Sequence, residues 1–472
     1  MSLISNIRRH KLHILSFGLL VIVFFTQVNY INREQHCEKY AIRMHTPTRF
    51  NEIENIREAI SHSATSEEVF QRLQNASSNI SKFHDRNDDR TYEPDGYKAA
   101  ALARRLCLEK RLDHGTFVPV ARMHYIPHRN ITFCSMAKTG STFWGRVFVM
   151  ATEQDPNKYS QPYDVSLSEV YGGIGKRFTL NTNVTLNHDH FSFMFVRNPY
   201  SRILSAYVDK LVPPNPTFWR YFGLKAIAQF REGMDKAPKS TRKEAKHNND
   251  TTLVGHDVTF AEFVRFVTDA ELHQESPNPH ISSVKKHCRP CSSFFTFIGK
   301  LENIAEDGSY IMNKIGISKK AITALETNIS NLTKDDAITD SIRGPFGWKK
   351  DVLKHMSWDK ALQRLWLKLQ MRGLIEKDIK LELSDQQIMS MTSDRLIDIA
   401  REAHARSDPG KLKQQSKAVQ KEAFASVPLK DLTAFRDAFK DDFTLLGYDP
   451  SPQEIFNRNE NPVEPKVYFN KL

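Results

Sequence analysis

Lys138, Thr139 and Gly140 lead from an apolar run, Ile131–Ser135, into an amphipathic one, Ser141–Ala151, which begins with the hydroxyls of Ser141 and Thr142. A cation, a glycine and hydroxyls in a turn that opens a helix are what an anion requires. Backbone N–H groups and the positive end of the helix dipole converge there, and the lysine adds a full charge. About sixty residues on, the pattern returns: Phe191–Val196 is apolar, Arg197 closes it, and Ser205 lies on the helical stretch that follows. Arginine suits planar, multi-bond recognition of phosphate. The two points read as one site for each end of a doubly charged nucleotide. The G-x-x-x-x-G-K-[ST] loop is absent and no carboxylate suited to Mg2+ follows a strand, which argues against a kinase-like phosphotransferase.

The elements that must hold these points are legible in outline. Ile131–Ser135 and Phe191–Val196 read as short buried strands, and Phe294–Gly299 as a further one. Ser141–Ala151 is a helix with Phe143, Val147 and Met150 near one face, and Tyr200–Leu211 is a helix ended by Pro213-Pro214. Phe260–Val267 is amphipathic, and a helix is expected at Tyr97–Leu112. Helical pattern dominates Trp348–Leu383 and Gln386–Phe443, broken at Pro409-Gly410. No internal repeat is present.

The chain has 472 residues, 26% charged and 40% hydrophobic, which suits one large globular domain with appendages, or two domains. The net charge of +12 fits an acidic partner, and charge alone leaves nucleic acid, anionic lipid and polyanionic glycan open. The N-terminus narrows the choice. Leu12–Val28 is mostly apolar, Arg8, Arg9 and Lys11 precede it, and Tyr30 and Ile31 sit at its far end, so it reads as a membrane span with the basic flank cytoplasmic. No small-x-small cleavage site follows, which favours an uncleaved anchor over a signal peptide. Asn75, Asn79, Asn130, Asn183, Asn249, Asn328 and Asn331 begin glycosylation sequons, in keeping with a lumenal body. The expected organisation is 1–11 cytoplasmic tail, 12–31 transmembrane signal anchor, 32–114 lumenal stem and 115–472 lumenal catalytic domain, with a basic loop at 231–250.

A lumenal body permits disulfides among Cys37, Cys107, Cys134, Cys288 and Cys291. Cys288-Arg289-Pro290-Cys291 offers a local bridge, and Cys107 and Cys134 would staple the first helix to the first strand. Cys37 is then left over in the stem, where it would bridge a homodimer. A lone C-x-x-C does not build a four-ligand zinc site, even with His280 and His287 near in sequence, and no metal is expected.

At these residues the chain resembles the membrane-anchored carbohydrate sulfotransferases of the Golgi, the group with the chondroitin 4-O- and HNK-1 sulfotransferases. Lys138, Thr142 and Trp144 fit the family's P-K-x-x-x-T-x-W, with Ala137 in place of proline. Arg197, Pro199, Arg202, Ser205, Ala206, Tyr207 and Lys210 fit F-V-R-[DE]-P-x-x-R-L-x-S-A-Y-x-[DN]-K, with Asn198 in place of the acid. Phe260–Val264, Cys288–Cys291, Ile298–Glu302, Tyr310 and the closing Phe439–Phe443 and Gly447-Tyr448 follow in the family's order. His280 sits where the family often has N-x-H-W, but Ile281 replaces the tryptophan. The match runs from Cys134 to about Asp449, and much of 343–430 does not align.

The resemblance implies a P-loop-like α/β fold with a central parallel sheet and helical C-terminal additions. It implies 3′-phosphoadenosine-5′-phosphosulfate (PAPS) as sulfuryl donor and a glycan hydroxyl as acceptor, chondroitin- or dermatan-type first. Lys138 and Thr142, with the amides of Thr139, Gly140 and Ser141, would hold the 5′-phosphosulfate; Arg197 and Ser205 would hold the 3′-phosphate. Lys138 would also stabilise charge on the departing oxygen. No nucleic-acid partner is expected, and the acceptor is an acidic or neutral glycan.

A hydroxyl acceptor needs a general base. His190 is named first and His188 second, since His188-Asp189-His190 immediately precedes the second strand; Glu169, His280 and His287 are rivals. The reading from another class is a lumenal protein that binds PAPS or glycan without turnover.

Overall fold

The computed structural model describes residues 94–110, 112, 123–155, 157–177, 190–231, 254–273, 278–293 and 295–471. The expected anchor, the stem through residue 93, Cys37, His188, most of the basic loop and the sequons at Asn75, Asn79, Asn183 and Asn249 lie outside the described residues. Among the described residues no helix is long and apolar enough to cross a membrane. Glu93–Leu472 forms one compact unit.

Its sheet has four strands in the order β1 (Met123–Ile126), β2 (Ile131–Cys134), β3 (Phe191–Val196) and β4 (Phe297–Lys300). β2, β3 and β4 are parallel, with Ile131 opposite Phe191 and Phe193 opposite Phe297. β1 runs antiparallel to β2, so the sheet is mixed rather than wholly parallel. The sequence did not signal β1: four residues with His124 and Tyr125 at the centre bury only their ends and carry no detectable period. All six residues of β3 are buried, as a central strand covered on both faces requires.

Alternation along the strands sorts the side chains into two layers. Phe133, Phe193, Phe195 and Phe297 face one way, against helix α2 (Ser141–Ala151). There Trp144 is fully buried and stacks on Phe195 at 4.6 Å, which makes it core. Cys134, Met194, Val196 and Ile298 face the other way, against helix α1 (Asp95–Glu109) through Ala100 and Ala103. α1 lies so close to β4 that a Cβ on Gly96 would stand 2.1 Å from the Phe297 ring. The helix expected at the end of the stem is therefore part of this unit's core, and Tyr97 and Tyr310 share a hydroxyl contact of 2.6 Å.

The cysteines pair as Cys107–Cys291 and Cys134–Cys288. This corrects both expected bridges. The two halves of the C-x-x-C serve different elements, Cys288 reaching the end of β2 and Cys291 reaching α1. The Cys134–Cys288 bridge spans 154 residues of sequence and lies four residues before Lys138. Replacing both cysteines by alanine is expected to cost about 2–5 kcal/mol in denaturant unfolding. Unchanged stability would mean that the bridge contributes no constraint.

Beyond β3 the chain builds a second core. Helix α3 (Pro199–Lys210) starts with Pro199 at its first position, and the Asn198 side chain accepts from the N–H groups of Tyr200 and Ser201. Its apolar face packs with helices α4 (Phe260–His273) and α6 (Trp358–Met371) and with Pro409–Ala425, rather than back on the sheet. Between them lies α5 (Lys319–Gly347), a 29-residue helix with non-helical dihedrals at Asn328 that sequence periodicity did not reveal. Its sequon asparagines, Asn328 and Asn331, are exposed. Pro409-Gly410 opens a helix instead of breaking one, because Asp408 caps it and proline suits the first position.

Candidate active site

Lys138 and Arg197 emerge beyond the C-terminal ends of β2 and β3, neighbouring parallel strands. That edge is where open α/β sheets bind ligands. In the turn after β2, Lys138 (φ 70°) and Gly140 (φ 84°) are both left-handed, with Thr139 between them in the ordinary range. Such alternation turns successive N–H groups to one side and makes an anion-binding concavity. A left-handed lysine costs about 1–2 kcal/mol, a strain typical of functional turns. Gly140 precedes α2 and supplies no side-chain cap. The Thr139 side chain is buried and donates to the Met136 carbonyl at 2.9 Å, so it ties the turn together and leaves only its amide for a ligand. Ser141 and Thr142 are partly exposed, and the Thr142 hydroxyl lies 3.3 Å from that of Tyr171.

Lys138 Nζ donates to Asp209 Oδ2 at 2.8 Å. Asp209 sits in the last turn of α3, and its carboxylate also holds Lys210 Nζ (3.1 Å) and Lys368 Nζ (2.8 Å, on Oδ1). Lys368 projects from α6 with its side chain 5% exposed, and Arg372 follows one turn later. Burial pulls the Lys138 ammonium down to about 8 although Asp209 opposes it. Burial also lowers Lys368, again against Asp209. Burial by itself would raise the Asp209 carboxyl, but Lys138, Lys368, Lys210 and Arg372 hold it well below the carboxylate range. Asp209 is therefore an anion, not a proton acceptor, near neutral pH.

On the other side, burial lowers Arg197 and the nearby Glu302 carboxylate opposes the shift. Glu302 accepts from the Asn198 N–H at 3.1 Å and from the Tyr448 hydroxyl at 3.0 Å, and Lys300 Nζ stands 4.4 Å above the Tyr448 ring. The closing turn at Gly447-Tyr448 thus lies against the arginine. α3 connects the two sides. Ser201, Ser205 and Asp209, four residues apart, are partly exposed, whereas Arg202, Ile203, Leu204, Ala206, Tyr207 and Val208 are buried. The accessible stripe runs about 12 Å along the helix, from the Arg197 end to the Lys138 end.

The acid–base candidates separate cleanly. His190 stands at the N-terminal end of β3, with Nε2 2.9 Å from the Thr132 hydroxyl. That is about 20 Å along the strand from Arg197. Burial pulls its imidazole down to about 4. Residues before a parallel strand enter at the opposite edge of the sheet, so the structure does not bring His190 together with Lys138 and Arg197. His188 lies outside the described residues. Glu169 accepts from the Tyr159 hydroxyl (2.6 Å) and from Ser166, bonds that hold its carboxyl down to about 2. His287 Nε2 lies 3.1 Å from the Ser135 carbonyl and braces the turn before Lys138.

His280 is placed differently. Its ring stands 5.2 Å from the Phe218 ring, over which Lys210 Nζ sits at 5.1 Å, so it belongs to the neighbourhood where Asp209 and Lys138 meet. Asn278 Oδ1 accepts the His280 backbone N–H at 3.0 Å and lies 2.8 Å from Nδ1. An atom that accepts a backbone N–H is the amide oxygen, so in the neutral ring Nδ1 carries the proton.

Sequence reasoning missed three of these groups. Asp209 occupies the acidic position of the second segment, beside Lys210. Lys368 is the single charge within Leu365–Met371, an otherwise mostly apolar run, and that contrast was a usable signal. Arg372 carried none. Cys134, His287 and Cys288 bring potential metal-ligand atoms within 4.8 Å of one another, but the two sulfurs are bonded to each other and offer no thiolate.

A model of the sulfotransferase family matches residues 122–369, just over half of the chain. Carbohydrate sulfotransferase 11 of Rattus norvegicus is 30% identical over 195 residues, 40% of this chain and 51% of that protein. Carbohydrate sulfotransferase 14 of Danio rerio is 35% identical over 127 residues (27% and 30%), and carbohydrate sulfotransferase 9 of Homo sapiens 28% over 208 (43% of each). The chain spans about half or less of the length of these curated relatives. No solved structure matches it.

Proposed function

The chain belongs to the sulfotransferase family, and from that premise we propose that it transfers the sulfuryl group of PAPS to a glycan hydroxyl. The observation that carries the proposal is the pair Lys138 and Arg197 at the ends of adjacent parallel strands, joined by the Ser201–Ser205–Asp209 stripe of α3. Two anion-binding points along one accessible helix face suit a nucleotide charged at both its 3′ and 5′ sides. Lys138 and the amides of residues 139–142 would hold the 5′-phosphosulfate, and Arg197 with Ser205 the 3′-phosphate.

The reaction is an in-line displacement. The acceptor oxygen forms a bond to sulfur while the bond between sulfur and the bridging phosphate oxygen breaks. The electron pair leaves on that oxygen, and the acceptor proton passes to a base. Lys138 acts on the departing oxygen, where charge grows most, and His280 Nε2 takes the proton. The relatives' names support a carbohydrate acceptor, and within that class a chondroitin- or dermatan-type glycan is our first choice. The basic flank, apolar segment 12–31 and sequons support a type II protein with its body in the Golgi lumen.

The reading is tested by incubating the purified full-length protein with labelled PAPS and a panel of desulfated glycosaminoglycans. Label should pass to a glycan. Binding of PAPS without transfer to any member would favour a non-catalytic binding protein.

Arg197→Ala should act on donor binding. The 3′-phosphate is remote from the breaking bond, so its contacts are nearly equal in ground and transition states. KM for PAPS is expected to rise roughly 10–100-fold, the effect of losing charge-assisted hydrogen bonds, with kcat little changed. An unchanged KM would take Arg197 out of the nucleotide site.

A further inference from the structure

Lys138, Lys210 and Lys368 all contact one carboxylate, that of Asp209, and Arg372 adds a fourth positive charge to the cluster. Among the described residues Asp340 also acts on Lys368, and Asp336, also within range of Arg372, is paired with Arg146. The cluster therefore carries more positive than negative charge. Lysine is almost never fully buried unless paired, and Lys368, 5% exposed, is paired with Asp209 in a cluster that still has cations to offer an anion. Lys368 sits among Leu365, Trp366, Leu367 and Leu369, all buried, where an apolar residue would avoid that cost. Lys368 and Arg372 stand four residues apart and so share one side of the chain as α6 ends. Arg372 is itself steered by α5, donating through Nη1 to the Ala337 carbonyl and the Ser341 hydroxyl.

We propose that Lys368, backed by Arg372, is a second cationic wall of the pocket for the 5′-phosphosulfate end of the donor. Asp209 is the internal counter-ion that holds Lys368 and Lys138 on its two oxygens. The inference rests on the PAPS reading and deepens it. It assigns a donor contact to the C-terminal helical region, which carries neither of the two sequence segments. Asp209 keeps both ammonium groups charged and in place without ligand, and the phosphosulfate oxygens share those cations when donor binds.

The test uses two nucleotides that differ only at the 5′ end, adenosine 3′,5′-bisphosphate and adenosine 3′-monophosphate, titrated calorimetrically into the full-length protein. Lys368→Met should weaken the bisphosphate at least tenfold and leave the monophosphate unchanged, whereas Arg197→Ala should weaken both. Arg372 is exposed, so Arg372→Gln tests the same wall if the buried substitution unfolds the protein, and it should show the same selectivity at smaller size. Equal bisphosphate affinity in wild type and the folded variants would overturn the proposal, and so would parallel loss of both nucleotides in Lys368→Met. Failure of the wild-type protein to bind either nucleotide would strike the PAPS reading itself, and this inference with it.

Discussion

Lys138→Ala lowers kcat by about 10²–10³-fold, a loss of ~2.7–4 kcal/mol that is typical for one donor aimed at charge developing in a transition state. The ammonium is held at the end of β2 by a left-handed turn and by Asp209 at 2.8 Å. In the proposed reading it would face the bridging oxygen, whose charge is small in bound PAPS and large as the S–O bond breaks. Affinity for PAPS should fall less than kcat, because the other cluster cations and the turn amides remain. The fold should survive, since Lys210 and Lys368 still satisfy Asp209. Near-normal kcat in a folded variant would sink the assignment.

The same group predicts a pH dependence. Burial pulls Lys138 down to about 8, so in the free enzyme it is charged below that pH and neutral above it. The charged form binds the anion, and kcat/KM for PAPS should therefore decline as pH rises through about 8. In Lys138→Arg the guanidinium stays charged, and whatever activity remains should lose this alkaline decline. A wild-type profile flat to pH 10 would rule out Lys138 as the titrating group.

His280→Ala should lower kcat by about 10²–10⁴-fold, the range for loss of a general base, while calorimetric PAPS binding stays intact. The side chain stands beside Phe218, near the cluster, and Asn278 Oδ1 orients the ring through Nδ1. Asn278→Ala should give a smaller loss, because the ring then samples both tautomers. His190→Ala should keep its activity, since His190 stands against Thr132 at the far end of β3. Full activity in His280→Ala would put the base elsewhere; a matching loss in His190→Ala would instead mean that strand damage reaches the site.

The placement of Lys138 and Arg197 was legible without coordinates because it is local. An apolar run, a turn and an amphipathic run determine where a cation will stand at the end of a strand, and Lys138 and Arg197 stand there after β2 and β3. Disulfide partners were not legible, since Cys107 and Cys291 meet only after α1 has packed on the sheet, 184 residues apart in sequence. Strand direction decided where His190 stands: the residues before β3 look adjacent to Arg197 in sequence, yet a strand's length separates its two ends. The remaining part of the site was a matter of packing alone. Lys368 meets Asp209 only because α3 leaves the sheet and buries its apolar face against α6. No local pattern encodes that a carboxylate and an ammonium 159 residues apart will share one bond.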